Sequence, residues 1–256
     1  MKYLDDHIGY LRRHDAEARD ALARQWASCG TAMAEINRDL SRYRRPTELG
    51  RHHDEESAKA ARCAAVLPEI DFQTSPRRQR WTKFARHDRR KVQILLLWEH
   101  RLGALFRGEP VRAYGGLKDR DAIERKIALP SPEGTTPDLW DVVRLRLVVS
   151  DSGKVLDSAR AIRERYPESV VRCRNYIANP RTGATATYRG CHLELQSDDE
   201  EAVEVQIVTR RREAVGLLDH AFVLKGRVAF ASDEHREWLR HFSYMANIWD
   251  NREWIA

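Results

Sequence analysis

Residues 188–195 read Tyr188-Arg189-Gly190-Cys191-His192-Leu193-Glu194-Leu195, and residues 202–209 read Ala202-Val203-Glu204-Val205-Gln206-Ile207-Val208-Thr209. Ser197, Asp198, Asp199, Glu200 and Glu201 connect them. Both runs favour β-structure and alternate with period two, which predicts a hairpin with strands over 190–195 and 202–208. Alternation puts Val203, Val205 and Ile207 on one face and Glu204 with Gln206 on the other. On the first strand His192 and Glu194 share a face, opposite Leu193 and Leu195. A carboxylate, an amide and an imidazole can therefore meet on one side of the hairpin. The same pattern also describes a pair whose polar face meets only water, as is usual in antiparallel sheets.

Working outward, residues 142–149, Val-Val-Arg-Leu-Arg-Leu-Val-Val, predict a strand with Arg144 and Arg146 on one face. Further strands are expected over 110–115 and 169–177. Helices are expected over 119–129, with Asp119 as N-cap, over 154–165, and from 210 to 224. A last helix is expected from Ser232 to Trp249, with Trp238, Leu239, Phe242 and Met245 as its apolar stripe, facing a core or another copy of the chain. Upstream, residues 1–40 carry helical spacing that Gly30 interrupts and Pro46 and Gly50 end. An alanine-rich helix over 51–67 and a third over 81–107, carrying Val92, Leu95, Leu96 and Leu102, complete the front. The fold class is thus α+β: a mixed, mainly antiparallel five-stranded sheet between helices. Its segments are a helical region over 1–108, a core over 109–228 and a C-terminal helix over 229–256.

At 256 residues the chain can bury a sizeable core without disulfide staples. Cys29, Cys63, Cys173 and Cys191 have no metal-ligand spacing and read as reduced thiols of a cytoplasmic protein. The N-terminus lacks an apolar targeting segment, and the longest apolar run, Ile94–Trp98, is too short to cross a bilayer, so no membrane partner is expected. The net charge is +6, with arginines in knots at 42–45 and 77–91. The second knot interleaves Trp81 and Phe84, a composition that suits nucleic-acid contact or a solvated helix face. Phosphate-loop, dinucleotide-binding, serine-hydrolase and zinc-protease signatures are absent. His52-His53-Asp54-Glu55-Glu56 resembles a metal dyad by letters only.

The chemistry-bearing residues fall at strand ends. Lys118 follows Gly115-Gly116-Leu117 at a strand-to-helix turn, where a lysine can reach phosphates. Asp141 stands at the start of a strand and Glu204 inside another. Two carboxylates beside a Lys/Arg cluster suit Mg²⁺-assisted phosphoryl transfer.

In order and spacing these motifs resemble the synthetase domain of the RelA/SpoT family, the nucleotide pyrophosphokinases that make (p)ppGpp, over about residues 110–226. The family's R-x-K-S…S-I-x-x-K-L aligns with Gly116-Leu117-Lys118-Asp119…Ala122-Ile123-Glu124-Arg125-Lys126-Ile127, and its D-I-x-G-x-R with Asp141-Val142-Val143-Arg144-Leu145-Arg146. D-Y-I-x-x-P-K…G-Y-R-S-x-H aligns with Asn175 to Arg181 and Thr187 to His192, V-E-V-Q-I-R-T with Val203 to Thr209, and E-x-x-H…Y-K with Asp219-His220…Leu224-Lys225. The resemblance implies a nucleotidyltransferase-like synthetase fold and transfer of the β,γ-pyrophosphate of ATP to a ribose 3′-hydroxyl. It implies Asp141 and Glu204 as catalytic residues and Mg²⁺ ligands, and Lys118, Lys126 and Arg146 as ATP contacts. Tyr188, Arg189, His192, Gln206 and Arg181 would meet the acceptor, with Tyr188 stacked on its purine. The acceptor would be GDP or GTP in an alarmone synthetase. In the toxic branch of small synthetases it would be the 3′ end of tRNA, with an antitoxin as partner; a binding module without catalysis is a third reading. Homo-oligomers are expected by analogy. The chain departs from the pattern at Gly116 (family arginine), Ala122 (serine), Arg144 (glycine), Arg181 (lysine), Val208 (arginine) and Leu224 (tyrosine).

Overall fold

The computed structural model describes residues 30–40, 45–71, 89–118, 123, 141–182, 187–196, 202–219 and 233–255. The elements are a helix over 30–40 (α1), α2 (Pro46–Ala64), β1 (Ile70–Asp71), α3 (Arg89–Leu105), β2 (Arg112–Leu117), β3 (Val143–Val149), α4 (Ser152–Arg165), β4 (Val170–Asn175), β5 (Arg181–Thr182), β6 (Thr187–Tyr188), β7 (Cys191–Gln196), β8 (Ala202–Thr209), α5 (Arg210–Asp219) and α6 (Asp233–Ile255). Among the described residues no helix is long and apolar enough to cross a membrane. The expected helix over 119–129 lies outside the described residues apart from Ile123, which is helical and buried. Ser232 and the basic knots, but for Arg45 and residues 89–91, also lie outside them.

The chain divides into two compact units, one of residues 1–63, 180–189 and 209–256, the other of residues 64–179 and 190–208. The second holds the sheet, in strand order β1-β4-β7-β8-β3-β2. The pairs β1–β4, β4–β7, β7–β8 and β2–β3 are antiparallel. The α+β class and the five expected strands are all present, and β1 adds a two-residue edge. Leu145, Leu147, Leu193, Leu195, Val203, Val205 and Ile207 are buried, while Arg144, Arg146, His192, Glu194, Glu204 and Gln206 alternate with them at half-buried positions. The apolar face is packed by α3 against β2 and β3 and by α4 against β7.

Gly115 lets α3 approach: a Cβ there would lie 2.5 Å from Leu95 Cδ1 and 2.9 Å from Leu145 Cδ2. The buried stripe of α3 is Lys91, Ile94, Trp98 and Leu102, whereas Val92 and Leu96 are exposed. Apolar residues outnumber the positions facing the sheet, so the sequence alone does not choose among them. Lys91, counted in the second basic knot, is only 1% exposed. Asp151 caps α4 by accepting from the Lys154 backbone N–H at 2.9 Å.

Where β4 ends, buried Asn175 donates from Nδ2 to the carbonyls of Ala64 (2.9 Å) and Leu67 (3.0 Å). Its Oδ1 accepts from the backbone N–H groups of Ile177 and Ala178. Such an amide satisfies both the end of α2 and a turn.

In the other unit Met33, Ile36, Leu49, Val215, Leu218, Leu239, Phe242 and Met245 form one core, with Trp238 packed against it. The C-terminal stripe is therefore core. Gly30 is helical and is the first described residue, so the expected interruption there lies outside the described residues, and Pro46 opens α2. A proline in the first turn sacrifices no helical hydrogen bond, which explains why it starts a helix here. Thr209 Oγ1 accepts from the Arg212 backbone N–H, capping α5, and donates to Asp250 of α6. Arg211 reaches Asp250 and Glu253 and so ties α5 to α6.

Candidate functional site

The polar face of the sheet gathers its side chains from β3, β7 and β8 and from the loop positions Lys118 and Asp141. Lys118 follows β2, its backbone N–H donating to the Val142 carbonyl, and its Nζ lies 2.5 Å from Asp141 Oδ2. Arg144 Nη2 donates to the same oxygen at 2.8 Å, and Nε stands 3.7 Å from Glu204 Oε2. The two carboxylates thus share one guanidinium. Arg146 Nη2 donates to Gln206 Oε1 at 2.6 Å, and Gln206 Nε2 donates to Glu204 Oε2 at 2.8 Å. The amide relays position from an arginine to a carboxylate. His192 Nδ1 stands 3.3 Å from the other oxygen of Glu204, and its ring meets Tyr176 edge-on at 5.1 Å.

Glu194 pairs directly opposite Glu204 in the β7–β8 register. Like charges opposed in a sheet repel. The structure separates their fates: Arg172, cross-strand partner of Glu194, holds both its oxygens at 3.0 and 2.9 Å. Burial pushes the Glu194 carboxyl up, against the pull of Arg172. Burial acts in the same direction on Glu204, but the hydrogen bond and charge of His192, with Arg144, outweigh it and hold that carboxyl below its ordinary value. Glu204 therefore remains an anion at neutral pH.

Of the residues expected from sequence, Lys118, Asp141, Arg146, His192, Glu204 and Gln206 stand together in the sheet unit. Lys126 lies outside the described residues. Tyr188, Arg181 and Arg189 belong to the other unit. There Arg181 and Tyr188 are partners in the β5–β6 pair, and the Arg212 guanidinium lies over the Tyr188 ring at 5.2 Å. Arg189 is buried; burial and the nearby Arg212 lower its pKa to about 10.

Sequence reasoning did not single out Arg172 or Arg212. Arg172 and Arg174 alternate on β4 as Arg144 and Arg146 do on β3, so period two was an available signal. Arg212 reaches Tyr188 only through tertiary packing.

Among the described residues no three His, Cys, Asp and Glu side chains gather as a metal group. The pair Asp141 and Glu204 is a different donor set, two hard oxygens that already share a cation, Arg144. Such a pair fits Mg²⁺, which takes one or two carboxylates and completes its shell with water and substrate phosphates.

Residues 115–227 match the family model described as the region found in RelA / SpoT proteins. No curated protein matches the chain. Among solved structures, smu.1046c from Streptococcus mutans UA159 is similar at 20% identity, covering 67% of this chain and 92% of that one, with a TM-score of 0.52. The small alarmone synthetase 1 of Bacillus subtilis, bound to its product pppGpp, is 20% identical over 64% of this chain and 90% of its own, with a TM-score of 0.49. A GTP pyrophosphokinase family protein from Streptococcus pneumoniae is 18% identical over 64% and 87%, also at 0.49. The first of these likenesses carries the fold alone. The matched segment contains Lys118, Asp141, Arg144, Arg146, His192, Glu204 and Gln206, so the candidate site lies within the part of the chain that is similar to that region.

Proposed function

We propose that the chain transfers the β,γ-pyrophosphate of ATP to the ribose 3′-hydroxyl of GDP or GTP, with release of AMP. The observation that carries this reading is the arrangement of Asp141 and Glu204, ahead of β3 and within β8, among Lys118, Arg144 and Arg146. Phosphoryl transfer asks for positioning and charge neutralisation. Cations flank two fixed anions here, so a polyphosphate meets positive charge and an acceptor hydroxyl meets a carboxylate.

In this reaction the 3′-hydroxyl oxygen attacks the β-phosphorus. The bond from that phosphorus to the α,β-bridging oxygen breaks, and AMP leaves with the bridging oxygen. The hydroxyl proton passes to Glu204. A carboxylate held below its ordinary value is a weak base, and in a loose transition state the hydroxyl needs orienting more than early deprotonation. Gln206 and His192 fix Glu204 for that task. Lys118 and Arg146 face the donor phosphates. Asp141 and Glu204 would hold Mg²⁺, which would neutralise charge on the transferred phosphates.

The test offers γ-labelled ATP and Mg²⁺ with GDP, GTP or deacylated tRNA in separate reactions. Label in a guanosine tetra- or pentaphosphate, with equal AMP, supports the proposal. Label in tRNA alone would replace the acceptor and make the chain a translation-blocking enzyme. No acceptor-dependent AMP would refute pyrophosphate transfer.

A further inference from the structure

The turn after α2 and the C-terminal half of α4 enclose a pocket of about 400 Å³ at the β1–β4 edge of the sheet. Every residue lining it belongs to the sheet unit. Leu67 and Val170 form its inner wall and are only 3% and 4% exposed. Val66 lies at its mouth and is 65% exposed, more than any other large apolar side chain among the described residues. The volume and the mixed lining are those of a small-molecule site. Because α4 packs on the apolar face of the sheet, the pocket lies behind the polar face that carries Glu204 and Gln206.

Arg163 lines the same pocket. Its Nη1 donates to the Pro68 carbonyl at 2.9 Å, and the guanidinium also bonds the Cys173 thiol, which burial keeps neutral. These anchors fix the side chain, and both are uncharged. Among the described residues no carboxylate forms an ion pair with Arg163. The carboxylate of Glu69, beside Pro68, turns instead to the Asn175 backbone N–H at 3.0 Å. A half-buried guanidinium held by neutral groups leaves its charge uncompensated, and a ligand anion can supply the missing charge. Arg160, one turn earlier on α4, lines the pocket as a second cation; its exposed pair with Asp157 at 3.2 Å is weakly held. Glu164, also exposed there, repels a second negative charge on the ligand.

We propose that this pocket binds a small amphipathic monoanion, an organic carboxylate or sulfonate whose apolar body covers Val66, Leu67 and Val170 while its acidic group meets Arg163. Glu164 disfavours polyphosphates, so the pocket is not a second nucleotide site. The inference goes beyond the pyrophosphokinase reading and does not depend on it.

Fluorescence titration with anilinonaphthalene sulfonate, an aromatic monoanion, tests it in four proteins: the unaltered chain, Arg163→Gln, Val66→Glu and Leu96→Glu. Thermal unfolding of each shows which are folded. Val66→Glu alters only an exposed side chain and keeps the test open should Arg163→Gln unfold. Leu96 is exposed on α3, away from the pocket lining, and serves as the control. The unaltered chain should bind the dye saturably. Arg163→Gln and Val66→Glu should each weaken binding about tenfold or more, the size of one charge-assisted contact, and Leu96→Glu should not change it. Neutral phenylnaphthylamine, which lacks the sulfonate, should bind the unaltered chain and Arg163→Gln equally. Unchanged dye affinity in folded Arg163→Gln or Val66→Glu overturns the inference, as does an equal loss in Leu96→Glu or an unaltered chain that binds no dye saturably. Displacement of the dye by α,β-methylene-ATP with Mg²⁺ would place it at a nucleotide site and overturn the inference while leaving the pyrophosphokinase reading standing.

Discussion

Gln206 donates to Glu204 at 2.8 Å from two positions along the same strand face. Its carbonyl oxygen is held in turn by Arg146. Replacing Gln206 by Leu keeps the bulk and removes the relay. Glu204 then loses one of the groups that fix its rotamer, and Arg146 loses its amide partner. The expected result is a fall in kcat of about a hundredfold, the usual cost of a misplaced reacting group, with a smaller change in KM for ATP. Steady-state kinetics of AMP formation check it.

Arg172 keeps Glu194 from acting as an unpaired charge opposite Glu204. Arg172→Met should destabilise the chain by about 3 kcal/mol at neutral pH, because it strands a half-buried carboxylate. The sign of the pH response follows from Glu194, whose carboxyl already sits above its ordinary value. A group raised in the folded state binds more protons there than in the unfolded chain, so the variant should regain stability as pH falls. Adding Glu194→Gln should recover most of the loss at pH near neutrality. Urea unfolding of the single and double variants measures both effects.

Asn175 donates to two buried carbonyls, which a carboxylate cannot do. The RelA/SpoT pattern that the sequence resembles carries aspartate here, yet Asn175→Asp should cost this chain about 3 kcal/mol of stability. Replacement by alanine, which also leaves these groups without partners but introduces no charge, should cost less. Chemical denaturation of the two variants distinguishes them.

His53 stacks on Tyr244 at 4.1 Å, and its Nε2 lies 3.3 Å from both Ser57 Oγ and Asn247 Nδ2. An Nε2 that accepts from these donors cannot carry a proton. Burial pushes the His53 pKa below 6.5, against Asp54, and burial also lowers His52 and His241. The unfolded chain therefore takes up protons that the folded chain refuses, and stability falls as pH drops below about 6.5. His53→Gln should make the decline of Tm between about pH 7 and 5 shallower, though not flat, since His52 and His241 remain. An unchanged slope would show that His53 is not the main sensor.

Much of this was legible in sequence because a half-buried sheet imposes period two. His192, Glu194, Glu204, Gln206, Arg144 and Arg146 each fall on the polar face that alternation assigns. What pairs with what was not legible. The Arg172–Glu194 clamp and the pairing of Gly116 with Arg144 depend on strand register, which joins residues far apart in the chain. Strand β1 is two residues long and has no period to read. The buried side of α3 was ambiguous because apolar residues lie on more than one of its faces, and Lys91 lies in the buried stripe beneath a run of surface-like charges.

The proposed pyrophosphate transfer requires Asp141 and Glu204 to act together. The most direct measurement is AMP and labelled product formed from γ-labelled ATP and GDP by the unaltered chain, Asp141→Asn and Glu204→Gln, with folding verified by thermal unfolding. The unaltered chain should give equal amounts of AMP and guanosine tetraphosphate. Each variant should lose about a thousandfold or more, since each removes a charge the reaction needs. Folded variants that keep full activity would contradict it.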